Sequence, residues 1–581
     1  MKKYLAFFAA AAAMISLCFG STAFASGESS AESGETVIKV FETTDIHGYL
    51  MDTSSMDEET FTYRMAYIAN DVNNARTSGE YDDVILINGG NNYEGTPVSN
   101  LLQGAPVRAV MDAMGYDATS VGNHEFDWDA ARDHLHCDSD GTIASYEVGS
   151  YSGDPDIPVL AYNLYYAGTE DRVDWAQDYV IVEKAGYRVA IIGYIGDFSS
   201  QVMAERIEPY TIDPSMDALN EKIAEVNSTE QPDVTIVAAF DGAASVAASV
   251  DPTQVDLVTG GHNQASSGSA GVADNGVAYL ESACYAQGYV SAVITIDDAT
   301  GEVTVAVDEP TAVVASGRGA DNSKLYEANA EGNLDPEVLA ISKEAWNAVA
   351  ADMEEVLGTV DTDINTRASV SDNGATSAGN WITGLMLRWA QENYSEDVVA
   401  AFYNNGGMRT SLTIADGEDT REITAADVYT INPFCNYWYI YEITGEELAQ
   451  HLVNAFGNGN FGNEMSGLTF TYSVTEGSAS GEASQGGGSG ENSSKTYTIE
   501  SITLADGTEV DIHDDTVTYL VCTSNYSGTL EGGVFADHEP LNENDAPVDN
   551  VTLIELLRAE AAANNGRISV DTGVRGTEVT G

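Results

Sequence analysis

From residue 36 to about residue 310 the chain alternates short apolar, β-branched runs with amphipathic stretches. In order these runs are TVIKVF, DVILI, DATSVG, IPVLAYN, YRVAIIGYIG, DVTIVAAF, VDLVTGG and VSAVITID. Such alternation predicts a layered α/β domain over residues 36–315, with ligands expected at the carboxyl ends of its strands. Residues 316–358 form a connecting segment. It contains Asp335-Pro336, an N-cap and first-turn pair, followed by Leu339, Trp346, Val349, Met353 and Val356 at helical spacing before Gly358. This predicts a joining helix over 335–357 whose apolar stripe packs into a core. A second α/β region is expected over 359–575, interrupted at 476–495 by a Gly/Ser/Glu-rich stretch that reads as an exposed loop without chemistry of its own.

The chain has 581 residues and is 43% hydrophobic, enough for two or more domains with ample cores. Residues 1–25 carry Lys2 and Lys3, then an apolar run, then AFA ending at Ala25. This is the pattern of a secretory signal cleaved near Ala25, followed by a flexible polar leader to residue 35, and it implies a secreted or cell-surface protein. No later stretch is apolar for the roughly 18–20 residues that a membrane span needs, so the mature chain is expected to have none.

Ninety-two acidic residues against 23 basic ones give a formal charge of −69. Nucleic acid is therefore excluded as a partner, because phosphate backbones are held by basic surfaces. A small phosphate ester feels that repulsion only within roughly 8 Å at physiological salt, so single arginines can still bind one. Outside the leader the cysteines are Cys137, Cys284, Cys435 and Cys522, with no CxxC pair, and are expected to be isolated thiols.

The phrases at the ends of the predicted strands carry the chemistry. TTDIHG places Asp45 and His47 two residues apart; SVGNHEFDWD packs Asn123, His124, Glu125 and Asp127 into five positions; VTGGHNQ brings in His262 and Gln264. Together with NNYEGTP after the second strand, and with YNNGGMR (403–409), INPFCNYWYIYEITGEEL (431–448) and SGLTFTY (466–472), they resemble, in order, the motifs of the secreted 5′-nucleotidase family. The resemblance implies a four-layer calcineurin-like metallophosphatase domain, a linker helix and an α/β 5′-nucleotidase C-terminal domain that binds substrate. It also implies two divalent ions, of zinc, manganese or cobalt type, sharing a bridging carboxylate and supplying a hydroxide that attacks a phosphate monoester.

Carried over position by position, the resemblance puts the catalytic pair at His124 and Asp127, and metal ligands at Asp45, His47, Asn91, Asn123, His262 and Gln264. Three of seven ligand positions depart from the family pattern: Asn91 stands where the bridging aspartate belongs, Phe240 in AAFDGA replaces a histidine, and Gln264 replaces the last histidine. Two dications some 3.5–4 Å apart repel by roughly 18 kcal/mol at an effective dielectric of 20, and a neutral amide offsets far less of this than a carboxylate. At most one moderately bound ion is expected. Asp241 and Glu94 are the candidates to compensate for the lost ligands.

In the second domain the resemblance assigns substrate contacts to Arg409, to Phe434 and Asn436 in PFCN, and to Tyr526 as a second stacking aromatic. The family's G-G-D-G-F phrase appears as EGGVF, with Val534 in the place of an aspartate that holds a ribose. The expected function is that of an exported 5′-nucleotidase-like phosphoesterase acting on a nucleotide or other small phosphate ester, with impaired activity. The alternative is a non-catalytic relative that keeps the fold and binds a ligand or a partner.

Overall fold

The structure is a computed structural model that describes residues 34–52, 61–127, 137–138, 140–153, 156–202, 204–315, 322–325, 332–366, 375–434, 436–456, 462–476, 495–529, 533–536, 538–542 and 546–579. The signal segment, all but the end of the leader, Cys435 and the interior of the low-complexity stretch (477–494) lie outside the described residues.

Each of the eight apolar runs is a strand. In the first sheet β1 (Glu35–Thr43), β2 (Asp83–Asn88) and β3 (Ala118–Ser120) run parallel. In the second, β4 (Tyr187–Ile195), β5 (Val234–Phe240) and β6 (Leu257–Thr259) do the same. The two sheets face each other, and alternation along each strand divides the side chains between two cores. Ile38 and Val40 of β1 and Ile85 and Ile87 of β2 meet Ile191 of β4 and Ile236 of β5 between the sheets. Phe41, Val84 and Leu86 point the other way, under a helical layer. That layer comprises α1 (Arg64–Ser78), α2 (Ala105–Met114) and, after the second sheet, the joining helix; the second sheet's outer face is covered by helices Met216–Glu230 and Ala243–Ser249. Both sheets are thus buried on both faces, which is why their strands read as continuous apolar runs.

The joining helix is α3 (Pro336–Met353), shorter than the expected 335–357. It ends at Glu354 because Val356 and the residues after it pair as β7 (Val356–Val360) with Arg421–Thr424. An apolar β-branched residue at helical spacing from Met353 served a strand instead. Val338, Ile341, Ala345, Trp346 and Val349 of α3 are buried in the helical layer, as core packing requires. In the second α/β region a four-stranded sheet runs in the order Trp438–Thr444, Thr518–Ser524, Val398–Asn404, Asn463–Ser466. Helix Ala425–Ile431 reaches across to the first domain, where Ala426 and Tyr429 join the α1–α3 core. Cys284 and Cys522 are buried free thiols and Cys137 is buried as well. No helix among the described residues is long and apolar enough to cross a membrane.

Asp335 both caps and anchors α3: its Oδ1 accepts from the backbone N–H of Glu337 (3.0 Å) and Val338 (2.9 Å), and its Oδ2 accepts from Asn73 Nδ2 of α1 (3.0 Å). Asp335→Ala should lower the free energy of thermal or denaturant unfolding by about 1–2 kcal/mol, whereas Asp335→Asn should recover most of it. Circular dichroism melts of the two variants check this.

Candidate functional site

The carboxyl ends of β1, β2, β3, β5 and β6 converge on one place. Beyond β1 the chain turns sharply through Asp45 and His47, beyond β2 through Asn91, and beyond β6 through His262 and Gln264. All five have left-handed backbone, with φ of 49°, 48°, 55°, 79° and 45° respectively. Each such turn costs on the order of 1 kcal/mol for a residue with a Cβ, so the geometry persists only because its surroundings hold it. The holding bonds are visible. Asp45 N–H donates to Gly90 O (2.9 Å), His47 N–H to Asn91 O (3.0 Å) and Gly48 N–H to Asn92 O (2.8 Å), stitching the first loop to the second. Glu125, fully buried, accepts from the N–H groups of Asn91 (2.9 Å), Asn92 (2.7 Å) and Gly122 (2.7 Å), which fixes the second loop against the third.

Asn91 lies at the centre. Its Nδ2 donates to Asp45 Oδ1 (2.9 Å) and Asn123 Oδ1 (3.2 Å), and its Oδ1 accepts from the His124 N–H (3.0 Å). A carboxylate only accepts and a backbone N–H only donates, so this amide has one chemically consistent orientation. An NH₂ group therefore occupies the space between two oxygens that would have to turn toward a cation. Beside it the Phe240 ring is completely buried, 5.0 Å from the His262 ring, between glycines that give it room. A Cβ on Gly90 or on Gly122 would come within 2.8 Å of ring carbons. A two-ion centre does not fit these residues: one would-be bridge donates instead of accepting, and the other replacement has no lone pair.

Asp241 does not take over from Phe240. Its Oδ1 accepts from the adjacent Gly242 N–H (2.7 Å), and its Oδ2 lies against Gly196. His262 is held by other partners, its N–H donating to Asp45 Oδ2 (3.0 Å) and its Nε2 meeting Gln201 Oε1 (3.0 Å). Asp45, His47 and Gln264 do come together, with His47 Nε2 3.8 Å from Asp45 Oδ1 and 3.3 Å from the Gln264 amide. These three would suit one ion.

The electrostatics of the pocket is set by burial and by the neighbouring charges. Burial works against a charged His47, but the carboxylates of Asp45 and Glu94 on its two sides outweigh it and raise the imidazole to about 9. For Asp45 the order is reversed: burial pushes the carboxyl up, and His47, Asn91 and Thr44 bring it below its ordinary value. His124 Nδ1 and Asp127 Oδ2 are 2.5 Å apart. Burial pulls the His124 imidazole down to about 3, aided by the charge on His47, and pushes the Asp127 carboxyl up to about 8.

The second domain closes over this floor. Phe434 stacks on His124, with ring centroids 5.6 Å apart at 26°, and the Arg409 guanidinium lies over the Phe434 ring, 4.6 Å from its centroid. Among the described residues that guanidinium has no carboxylate partner and no hydrogen bond. Asn100 Nδ2 donates to Pro433 O (2.6 Å), tying the first domain to the loop that carries Phe434. Two cavities flank Phe434 and Arg409. One, of about 310 Å³, is bordered by His124, Asp127, His262, Asn404, Asn436 and Tyr526; the other, of about 360 Å³, by His47, Tyr49, Glu94 and Tyr285. All the residues expected from the sequence except Asp45 and Asn91, which lie beneath, border one cavity or the other. Val534 packs into an apolar cluster of the second domain instead. Gln201, Asn404 and Tyr285 were not foreseen, and Glu125, singled out in GNHEFD without a role, proves to hold the second loop against the third.

A model of the 5′-nucleotidase C-terminal domain matches residues 356–537. The cell wall protein Lmo0130 of Listeria monocytogenes is 25% identical over 536 residues, covering 85% of this chain and 64% of its own length. Endonuclease YhcR of Bacillus subtilis is 24% identical over 545 residues, covering 90% of this chain and 40% of its own. The chain thus spans less than two thirds of either relative. Among solved structures, a 5′-nucleotidase precursor from Thermus thermophilus superimposes with a TM-score of 0.64 at 17% identity, covering 94% of this chain and all of that one. Residues 356–537 thus form a 5′-nucleotidase C-terminal domain, and the chain as a whole has the two-domain fold of that solved structure.

Proposed function

We propose that this protein is an exported member of the family that binds a small phosphate ester, of nucleotide type, in the interdomain cleft and hydrolyses it very slowly or not at all. The observation that carries this reading is the Asn91 amide donating to both Asp45 and Asn123 where a bridging carboxylate would accept two cations. With Phe240 filling the adjoining position, the chain's own hydrogen bonds and the His47 imidazolium satisfy the carboxylate of Asp45 without metal. The binding half of the site keeps its chemistry. Arg409 offers an unpaired guanidinium to a phosphate, Phe434 and Tyr526 offer aromatic faces, and Asn404 offers a buried Oδ1 that has no hydrogen-bond partner. Export is supported by the Lys2–Ala25 signal pattern and by the cell wall relative.

Metal content of the purified protein, measured beside phosphate release from AMP and an aryl phosphate with added manganese, zinc or cobalt, tests the reading. No more than one ion per chain is expected, with turnover at least about 10³-fold below that of a relative with the full ligand set. Two tightly held ions with brisk turnover would sink it. Restoring Asn91→Asp together with Phe240→His should raise the metal content to two ions and increase phosphate release. Arg409→Ala should weaken binding of AMP about tenfold or more by calorimetry, the loss of one charge-assisted contact.

A further inference from the structure

Glu94 belongs to none of the positions that the family uses for metal. It follows Asn91 by three residues, and its side chain is fully buried. Neither carboxylate oxygen has a hydrogen-bond partner. A carboxylate buried without hydrogen bonds costs several kcal/mol, and the His47 imidazolium 3.9 Å away offsets its charge without donating to either oxygen. The groups that face it are two imidazoles and one carboxyl. Glu94 Oε2 lies 3.8 Å from His124 Nδ1 and 3.9 Å from His47 Nδ1, and Asp127 Oδ2 is 2.5 Å from the same His124 nitrogen. The His47 nitrogen is already engaged with the Glu94 backbone carbonyl at 3.0 Å, which leaves the carboxylate to the other side.

We infer that Glu94, His124 and Asp127 form a site for one divalent cation, separate from the strand-end positions of the family centre. One ligand atom from each lies within 4.8 Å of the other two. Two carboxylates and one imidazole are a mixed oxygen and nitrogen set of the kind that zinc, cobalt and manganese accept. At bond lengths of about 2.0–2.2 Å, the Glu94 oxygen needs to draw in by roughly 1 Å while the His124–Asp127 contact opens by about as much. The fourth direction faces the cleft beside Phe434 and Arg409, where a water or a phosphate oxygen completes the shell. The inference rests on the reading that the paired-ion centre is closed, and burial of satisfied against unsatisfied oxygens decides between the two places for a single ion. Asp45 Oδ1 already accepts from Asn91, and its Oδ2 from Thr44 and His262, whereas both oxygens of Glu94 have no such bond. An ion at Asp45 must displace three hydrogen bonds; an ion at Glu94 displaces only the one between His124 and Asp127 and supplies those that Glu94 lacks.

Cobalt(II) titrated into the full chain provides the test, followed by its visible absorption and by calorimetry. One equivalent is expected, with affinity lowered at least about 100-fold in Glu94→Gln and in Asp127→Asn and left within a few-fold in Asp45→Asn. Both first variants remove charge without volume, and Asp127 is partly exposed, so it decides the matter if the buried Glu94 change fails to fold. Binding lost in Asp45→Asn but kept in Asp127→Asn would overturn the inference, as would absence of cobalt binding. Two equivalents, one of them lost in Asp45→Asn, would instead show that the paired-ion centre is open and that the proposed function fails, whatever happens at Glu94.

Discussion

An amide nitrogen and a metal ion make opposite demands on the oxygens around them, although both attract lone pairs: the first brings its own protons and little charge, the second brings two charges and needs anions. The contact of Asn91 Nδ2 with Asp45 Oδ1 and Asn123 Oδ1 settles which demand this site meets. Everything nearby is consistent with it. His47 is held as a cation between two carboxylates, His262 is turned to Gln201, and Phe240 fills a space walled by glycine. The left-handed turns hold these side chains together, and the charge among them is balanced by His47 against Asp45 and Glu94.

Most of the architecture was legible because it follows from local rules. Apolar runs buried on both faces announce parallel strands, and glycines with Asp, Asn or His after each run announce the left-handed turns that present ligands. The departures at Asn91 and Phe240 were readable for the same reason, since each sits at a fixed offset from a strand end. The end of the joining helix was not: Val356 satisfies a helical period and a strand equally, and only the partner strand Arg421–Thr424 decides. Gln264, which the sequence marks as a weakened ligand, retains its place against His47.

What the sequence hid were interactions that cross between loops. Glu125 and Glu94 look alike on paper, two acids inside strand-end phrases of this chain, yet one side chain accepts three backbone N–H groups and the other accepts none. Their difference depends on loops separated by more than thirty residues. The stacking of Phe434 on His124 is hidden more deeply, because it joins two domains whose relative placement no local pattern encodes.

That stacking, together with the Asn100–Pro433 bond, makes the cleft a seam as well as a container. A ligand that touches His124 from below and Arg409 from above contacts both domains at once, so its binding free energy is available to the closed arrangement and withheld from an opened one. It works as a reversible cross-link. Occupancy would then add RT ln(1 + [L]/Kd) to the cohesion of the two domains, about 2.7 kcal/mol at a hundredfold excess over Kd, so that the concentration of a small molecule sets how firmly the seam is closed.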